Sequence, residues 1–205
     1  VEFAGEVLES RDSRYQAGDK VIATGSRIGE IWHGGYAEKA SVKADWLVPL
    51  PDGIDLRQSM IFGTAGITAV FALQALECHG LTPDKGEVLV TGAAGGVGSF
   101  SVALLARLGY QVAAVTGRVD QSGAYLRDLG ASSLVPRQDL AEAIARPLES
   151  EQWAGCIDNV GGEMLARILG QLNYGCSAAA IGNAGGHQLP ASVIPFLLRG
   201  INLLG

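Results

Sequence analysis

Thr91-Gly92-Ala93-Ala94-Gly95-Gly96-Val97-Gly98-Ser99 is a glycine run set between two apolar patterns. The short β-branched stretch Glu87–Thr91 precedes it, and a helical pattern through Leu104, Leu105 and Leu108 to Gly109 follows. Glycine at such a junction lets the chain reverse with dihedrals closed to other residues, lets an anion approach the backbone, and lets the helix pack closely on the strand. The unpaired N–H groups of the helix start then face the anion, so the chemistry open to this turn is the binding of a pyrophosphate. Gly95 and Gly98 fill the second and third positions of the dinucleotide fingerprint and Ala93 the first, giving A-x-G-x-x-G. No Gly-Lys-Ser/Thr closes the run, which excludes a Walker-type phosphate loop.

The next apolar stretch, Gln111 to Thr116, ends in Thr116-Gly117-Arg118, where an NAD-binding chain would carry Asp or Glu. A carboxylate there would bond the ribose hydroxyls and repel a 2′-phosphate; a hydroxyl and a guanidinium would instead bind that phosphate through charge-assisted hydrogen bonds. A third stretch, Ser133 to Pro136, ends in Arg137. In the usual 3-2-1 strand order, Arg118 and Arg137 converge on one spot. The expected ligand is NADPH, and the alternative is that both arginines are solvated surface residues.

These residues need a scaffold of alternating strands and helices. Strands are predicted at 87–91, 111–116, 133–136, 153–158 and 177–181, and helices near 96–108, 120–129, 138–147, 161–172 and 190–199. That alternation specifies an α/β fold with a parallel, doubly wound sheet. Ahead of it, Val1–Leu8, Lys20–Thr24, Tyr36–Val42 and Trp46–Pro49 read as strands of a small all-β region, with the division placed at residues 54/55. Between Asp52 and Gly80 the pattern is helical, with Ile61, Ala65, Thr68, Ala69, Ala72 and Leu76 on one apolar face. The chain opens already in strand pattern and ends in Ile201-Asn202-Leu203-Leu204-Gly205, the start of a sixth strand, so both ends read as cut.

With 205 residues and 48% hydrophobic content, the chain can bury a sizeable core. Fifteen Lys and Arg against 21 Asp and Glu give a net charge of −6, which argues against a nucleic-acid partner. No apolar stretch of membrane-spanning length is free of Gly, Arg or Pro, and no secretory leader is evident, so the expected compartment is the cytoplasm. Cys78, Cys156 and Cys176 form no C-x-x-C pair and read as buried free thiols. His33, His79 and His187 are scattered without ligand spacing, so no metal site is expected.

The combination Glu2-Phe3-Ala4-Gly5-Glu6-Val7, Gly18-Asp19-Lys20-Val21, Gly34-Gly35-Tyr36-Ala37-Glu38, Gly63-Thr64-Ala65-Gly66-Ile67-Thr68-Ala69, Thr91 to Ser99, and Asp158-Asn159-Val160-Gly161 resembles the medium-chain dehydrogenase/reductase superfamily, in its zinc-independent quinone-oxidoreductase branch. Lys43 to Val48, Gly109-Tyr110-Gln111-Val112, Thr116-Gly117-Arg118, Trp153-Ala154-Gly155 and Leu172-Asn173-Tyr174-Gly175 look most like the bacterial NADPH-dependent acrylyl-CoA reductase subgroup. The resemblance covers the whole chain. It implies part of a GroES-like catalytic domain over residues 1–54 and a C-terminally incomplete, Rossmann-type NADP-binding domain over 55–205. Ala94, Gly95, Gly96 and Val97 would then lie on the pyrophosphate, and Thr116, Gly117, Arg118 and Arg137 at the 2′-phosphate. Gly182 and Asn183 would lie towards the nicotinamide. Thr64, at the start of the helix linking the two regions, is a further candidate, with a helix cap as its alternative. The implied activity is metal-free, NADPH-dependent reduction of the C=C bond of an α,β-unsaturated acyl thioester, acryloyl-CoA to propanoyl-CoA in type, by a protein that is a homodimer at full length. NADPH:quinone oxidoreduction and a non-catalytic nucleotide-binding fragment are the alternatives, and no side chain is identified as the proton donor.

Overall fold

The apolar, β-branched runs recognised in the sequence from residue 87 onward form the sheet of the larger of two units. In the computed structural model, which describes residues 1–142 and 146–205, two compact units can be distinguished, Val1–Ile67 and Thr68–Gly205. The first holds a three-stranded antiparallel sheet of β1 (Phe3–Glu6), β2 (Lys20–Ala23) and β3 (Leu47–Pro49), in that order. Tyr36–Val42, expected as a strand, forms none. Its residues from Tyr36 to Ser41 are all exposed, and β propensity does not hold a strand without a ladder partner and a buried face.

Helix α1 (Leu56–Cys78) is interrupted at Gly63, whose φ of 45° and ψ of −153° belong to no helix. The break resets the helical phase. Ile61, expected on the inner face, is exposed, whereas Ala72, Leu73 and Leu76 enter the core of the second unit. By length and composition α1 would suffice to cross a membrane, but its second half packs as a core helix. The division between the two units therefore falls inside α1, whereas the sequence reading places it before the helix.

The second unit alternates β4 (Glu87–Val90), α2 (Gly96–Arg107), β5 (Gln111–Thr116), α3 (Val119–Asp128), β6 (Ser133–Pro136), α4 (Gln138–Ala141), β7 (Trp153–Asp158), α5 (Gly162–Leu169), β8 (Leu172–Ala180), α6 (Ile194–Arg199) and β9 (Asn202–Leu204). All six strands pair in parallel, in the order β6-β5-β4-β7-β8-β9. The α/β class with a doubly wound parallel sheet is thus as expected. Two apolar clusters cover its faces, one around Val88, Val90, Leu105 and Leu126, the other around Leu89, Cys156, Ile168 and Leu169. Central strands buried on both faces read as continuous apolar runs, which is why their periodicity was uninformative but their composition was not.

Several boundaries move. β8 begins at Leu172 instead of 177, with a register irregularity where Trp153 pairs with Leu172 and Gly155 with Ser177; Gly175, at φ 72°, turns within it. Its Asn-Tyr-Gly sequence imitates a loop. α6 starts only at Ile194, set by Pro195 in its first turn. α5 ends at Leu169 because Gly170 and the β8 pairing follow. Of the helix expected over 138–147, Gln138–Ala141 is present, and 143–145 lie outside the described residues.

Tyr110, ahead of β5, is buried, and its hydroxyl donates to Glu77 Oε1 at 2.8 Å. Burial first, and the neighbouring carboxylate second, push its phenol up to about 12. Because the folded value lies above the unfolded one near 10, the stabilisation is complete below pH 10 and is lost as the pH rises through the folded pKa. Absorbance titration at 295 nm should show one tyrosine ionising near pH 12 in the native protein and joining the others after unfolding.

Candidate functional site

The strand order reverses between β4 and β7, since the chain moves outward to β5 and β6 and then returns to the other side. Open α/β sheets bind ligands at such a switch point, beyond the carboxyl ends of the strands. A cleft of about 850 Å³ lies there, lined by the segments that follow β4, β5, β6, β7 and β8.

Its first wall is the glycine turn. Gly92 has φ 56°, and the Ala93 N–H donates to Val115 O at 3.1 Å, tying the turn to β5. A Cβ on Gly98 would lie 2.3 Å from Gly92 O and 2.7 Å from Ala93 Cα, so α2 packs on the turn at a distance only glycine allows. Gly95 is the N-cap of α2 and brings no side chain; no acidic residue occupies the first turn. The helix start therefore presents backbone N–H groups and positive potential to the cleft.

The second wall is basic. Arg137 N–H donates to Thr116 O at 2.9 Å, and Arg118 N–H to Thr116 Oγ1 at 3.2 Å, so the ends of β5 and β6 are joined beneath both arginines. A Cβ on Gly117 would lie 3.2 Å from Arg137 Nε, so the guanidinium rests against this glycine. Both arginines are exposed, and neither forms an ion pair with any described residue. Two unneutralised guanidinium groups at one end of a cleft have the chemistry to bind an anion.

The floor between β4 and β7 is polar and buried. Thr91 Oγ1 donates to Asp158 Oδ1 at 2.6 Å and accepts the Asn159 N–H at 2.8 Å; Asn159 Nδ2 donates to Thr91 O at 2.7 Å; the Gly161 N–H donates to Asp158 Oδ2 at 2.7 Å. Burial raises the Asp158 carboxyl above its ordinary value, opposed by the hydrogen bonds from Thr91, Gly161 and Val160. On the far side, the Gly182 N–H donates to Asp158 O at 3.2 Å, and a Cβ at Gly182 would meet Asn159 O at 2.4 Å.

Ala94, Gly95, Gly96, Val97, Thr116, Gly117, Arg118, Arg137, Gly182 and Asn183 all line this cleft. Thr64 lies in the first unit. Just past the break at Gly63, its N–H donates to both carboxylate oxygens of Glu2, at 3.1 and 3.0 Å, and its hydroxyl to Glu2 Oε2. Glu2 thereby caps the restarted helix, as an anion at a helix N-terminus should. Asn159, Val160, Met164, Ile181, Ala184 and Gly185 also line the cleft and were not among the expected site residues. The signal available for Asn159 was its place directly after the strand at 153–158.

Among the described residues, no group of three or more His, Cys, Asp and Glu could hold a metal ion. Of the thiols expected to be buried, Cys156 is, with its pKa pushed well up by burial; Cys176 is only half-buried, and Cys78 is exposed because it ends α1 on the solvent side.

Residues 96–205 match the family described as zinc-binding dehydrogenase, and the chain belongs to it, within the medium-chain dehydrogenase/reductase superfamily. Its full length is 63% identical to acrylyl-CoA reductase AcuI of Ruegeria pomeroyi and 47% identical to the putative quinone oxidoreductase YhfP of Bacillus subtilis, covering 62% of each. Among solved structures it superposes over its whole length, and over 62% of the other chain, on Escherichia coli K-12 YhdH with bound NADPH, with a TM-score of 0.95 at 53% identity. B. subtilis YhfP with NAD bound gives 0.94 at 47% identity, with the same coverage. The chain thus spans about three fifths of the length of these relatives.

Proposed function

We propose that the chain is the greater part of an NADPH-dependent oxidoreductase that reduces the C=C bond of an α,β-unsaturated acyl thioester of the acryloyl-CoA type. The observation that carries the cofactor reading is the pair Arg118 and Arg137 at the basic end of the cleft, with no acid at the end of β5. The cleft residues named from the sequence would hold the dinucleotide: the start of α2 its pyrophosphate, Thr116 to Arg118 and Arg137 its 2′-phosphate, Gly182 and Asn183 its nicotinamide end. Bound NADPH supplies hydride to the β-carbon of the acceptor, whose α-carbon then takes a proton. The thioester is favoured by the AcuI relative. A quinone acceptor is the second reading, favoured by the name of the YhfP relative. No metal is assigned, since the described residues offer no ligand set.

Residues 1–54 are read as part of a GroES-like catalytic domain, and the intact protein as a cytoplasmic homodimer. Oxidation of NADPH by the intact protein should be fast with acryloyl-CoA, slow with a simple quinone, and slower again with NADH in place of NADPH. Turnover of the quinone alone would transfer the assignment to quinone reduction; a lack of NADPH binding would refute the cofactor reading.

A further inference from the structure

Behind the cleft-lining Asn159 lies a buried carboxylate with no cation against it among the described residues. Asp158 is fully buried and accepts from Thr91 Oγ1 on one oxygen and from the Gly161 N–H on the other, with the Val160 backbone a further donor. Thr91 Oγ1 accepts the Asn159 N–H and donates its proton to the Asp158 carboxylate. Thr91 O can only accept, so the atom of the Asn159 amide facing it at 2.7 Å is the nitrogen. The Asn159 amide is therefore held in one orientation, which leaves its Oδ1 and its second N–H without a bond from the described residues, on a residue that lines the cleft.

We propose that Asn159 is a ligand-contacting residue of this cleft, its amide oxygen accepting a hydrogen bond from a hydroxyl or amide N–H of the bound dinucleotide, and that Thr91 and Asp158 are positioning residues that hold it there. The proposal rests on the dinucleotide reading of the cleft. Thr91 adjoins Gly92, and Asn159 backs both Gly92 and Gly182, whose added Cβ atoms would lie 3.3 Å from Asn159 Cβ and 2.4 Å from Asn159 O respectively. Thr91 thus holds the Asn159 backbone through its hydroxyl and the Asn159 amide through its carbonyl, beside the glycine turn and the β8 loop. The contact falls away from the basic end, because β7 is two strands from β5, roughly 9–10 Å at ordinary strand spacing.

That separation supplies the test. Affinities for NADPH and for adenosine 2′,5′-bisphosphate, which carries only the phosphorylated adenosine end, are measured by titration calorimetry on the intact protein and on Asn159→Ala, Thr91→Val and Thr91→Ser, with melting temperatures alongside. The wild-type arm tests the dinucleotide reading itself: no NADPH binding there refutes that reading, not the arrangement of the floor. With wild-type binding established, Asn159→Ala and Thr91→Val should lose roughly 5- to 20-fold in NADPH affinity and keep their affinity for the bisphosphate, while Thr91→Ser retains both. Equal loss for the two ligands, or NADPH affinity unchanged in Asn159→Ala whatever its melting temperature, overturns the proposal. If Thr91→Val fails to fold, Asn159→Ala against Thr91→Ser decides it.

Discussion

Arg118→Ala should weaken NADPH binding by about 1.5–3 kcal/mol, roughly 10- to 150-fold, while changing NADH affinity less than threefold. The guanidinium is exposed and unneutralised by any described carboxylate, so removing it leaves no buried partner behind, and the loss measures its contact with ligand. Its backbone is held separately, through the N–H to Thr116 Oγ1 at 3.2 Å, so alanine should preserve the turn. Arg137→Ala should cost less selectively, because that side chain also lies against Gly117 and helps shape the wall. The Arg118 effect should shrink as salt is raised, since a solvent-facing phosphate contact is screened with a Debye length near 10 Å at 0.1 M. Fluorescence titration of both cofactors at two ionic strengths is sufficient. Equal losses for NADPH and NADH would remove the 2′-phosphate from Arg118 and leave the arginines as surface charge. The comparison has force because a relative 47% identical to this chain has a structure with NAD bound.

The cleft was legible where its chemistry is local. Glu87 to Arg118 spells strand, turn, helix, strand and basic end in order, and the parallel order of β4, β5 and β6 then fixes where Arg137 must fall. What could not be read is the part assembled by pairing. Thr91 and Asp158 are 67 residues apart, and nothing in either segment announces a hydrogen bond between them. Glu2 and Thr64 are 62 apart, and nothing local announces that a distant glutamate caps the helix restarted at Thr64. Two of the errors in element bounds share one cause. Tyr36–Val42 has β-type residues without a partner strand, and Leu172–Cys176 has loop-type residues with one; in both, the presence of a neighbour outweighed local propensity.

Gly95→Ala and Gly98→Ala, three residues apart in one turn, should fail in different ways. At Gly98 the added methyl would lie 2.3 Å from Gly92 O, 2.7 Å from Ala93 Cα and 2.9 Å from Ala93 C. All three are backbone atoms, so no side chain can swing aside and α2 itself must lift from β4. Overpacking of this kind costs about 1–3 kcal/mol, which for a chain of this size lowers the melting temperature by roughly 2–12 °C. It also displaces the N–H groups that would meet the pyrophosphate, so NADPH affinity should fall at least tenfold. At Gly95 the only close neighbour of an added Cβ is Gly92 O at 3.2 Å, and φ is −83°, open to any residue. Stability should therefore fall less than in Gly98→Ala, by about 1 kcal/mol or under, since a single backbone oxygen must give by a few tenths of an ångström and alanine is a poorer N-cap than glycine. Affinity should still drop, because this glycine leaves room for an anion to reach the backbone. A thermal melt and an NADPH titration on each variant separate the two roles. If Gly95→Ala binds NADPH as the wild type does, the pyrophosphate does not approach the turn there; if Gly98→Ala melts as the wild type does, α2 is not seated on Gly92 as closely as these distances require.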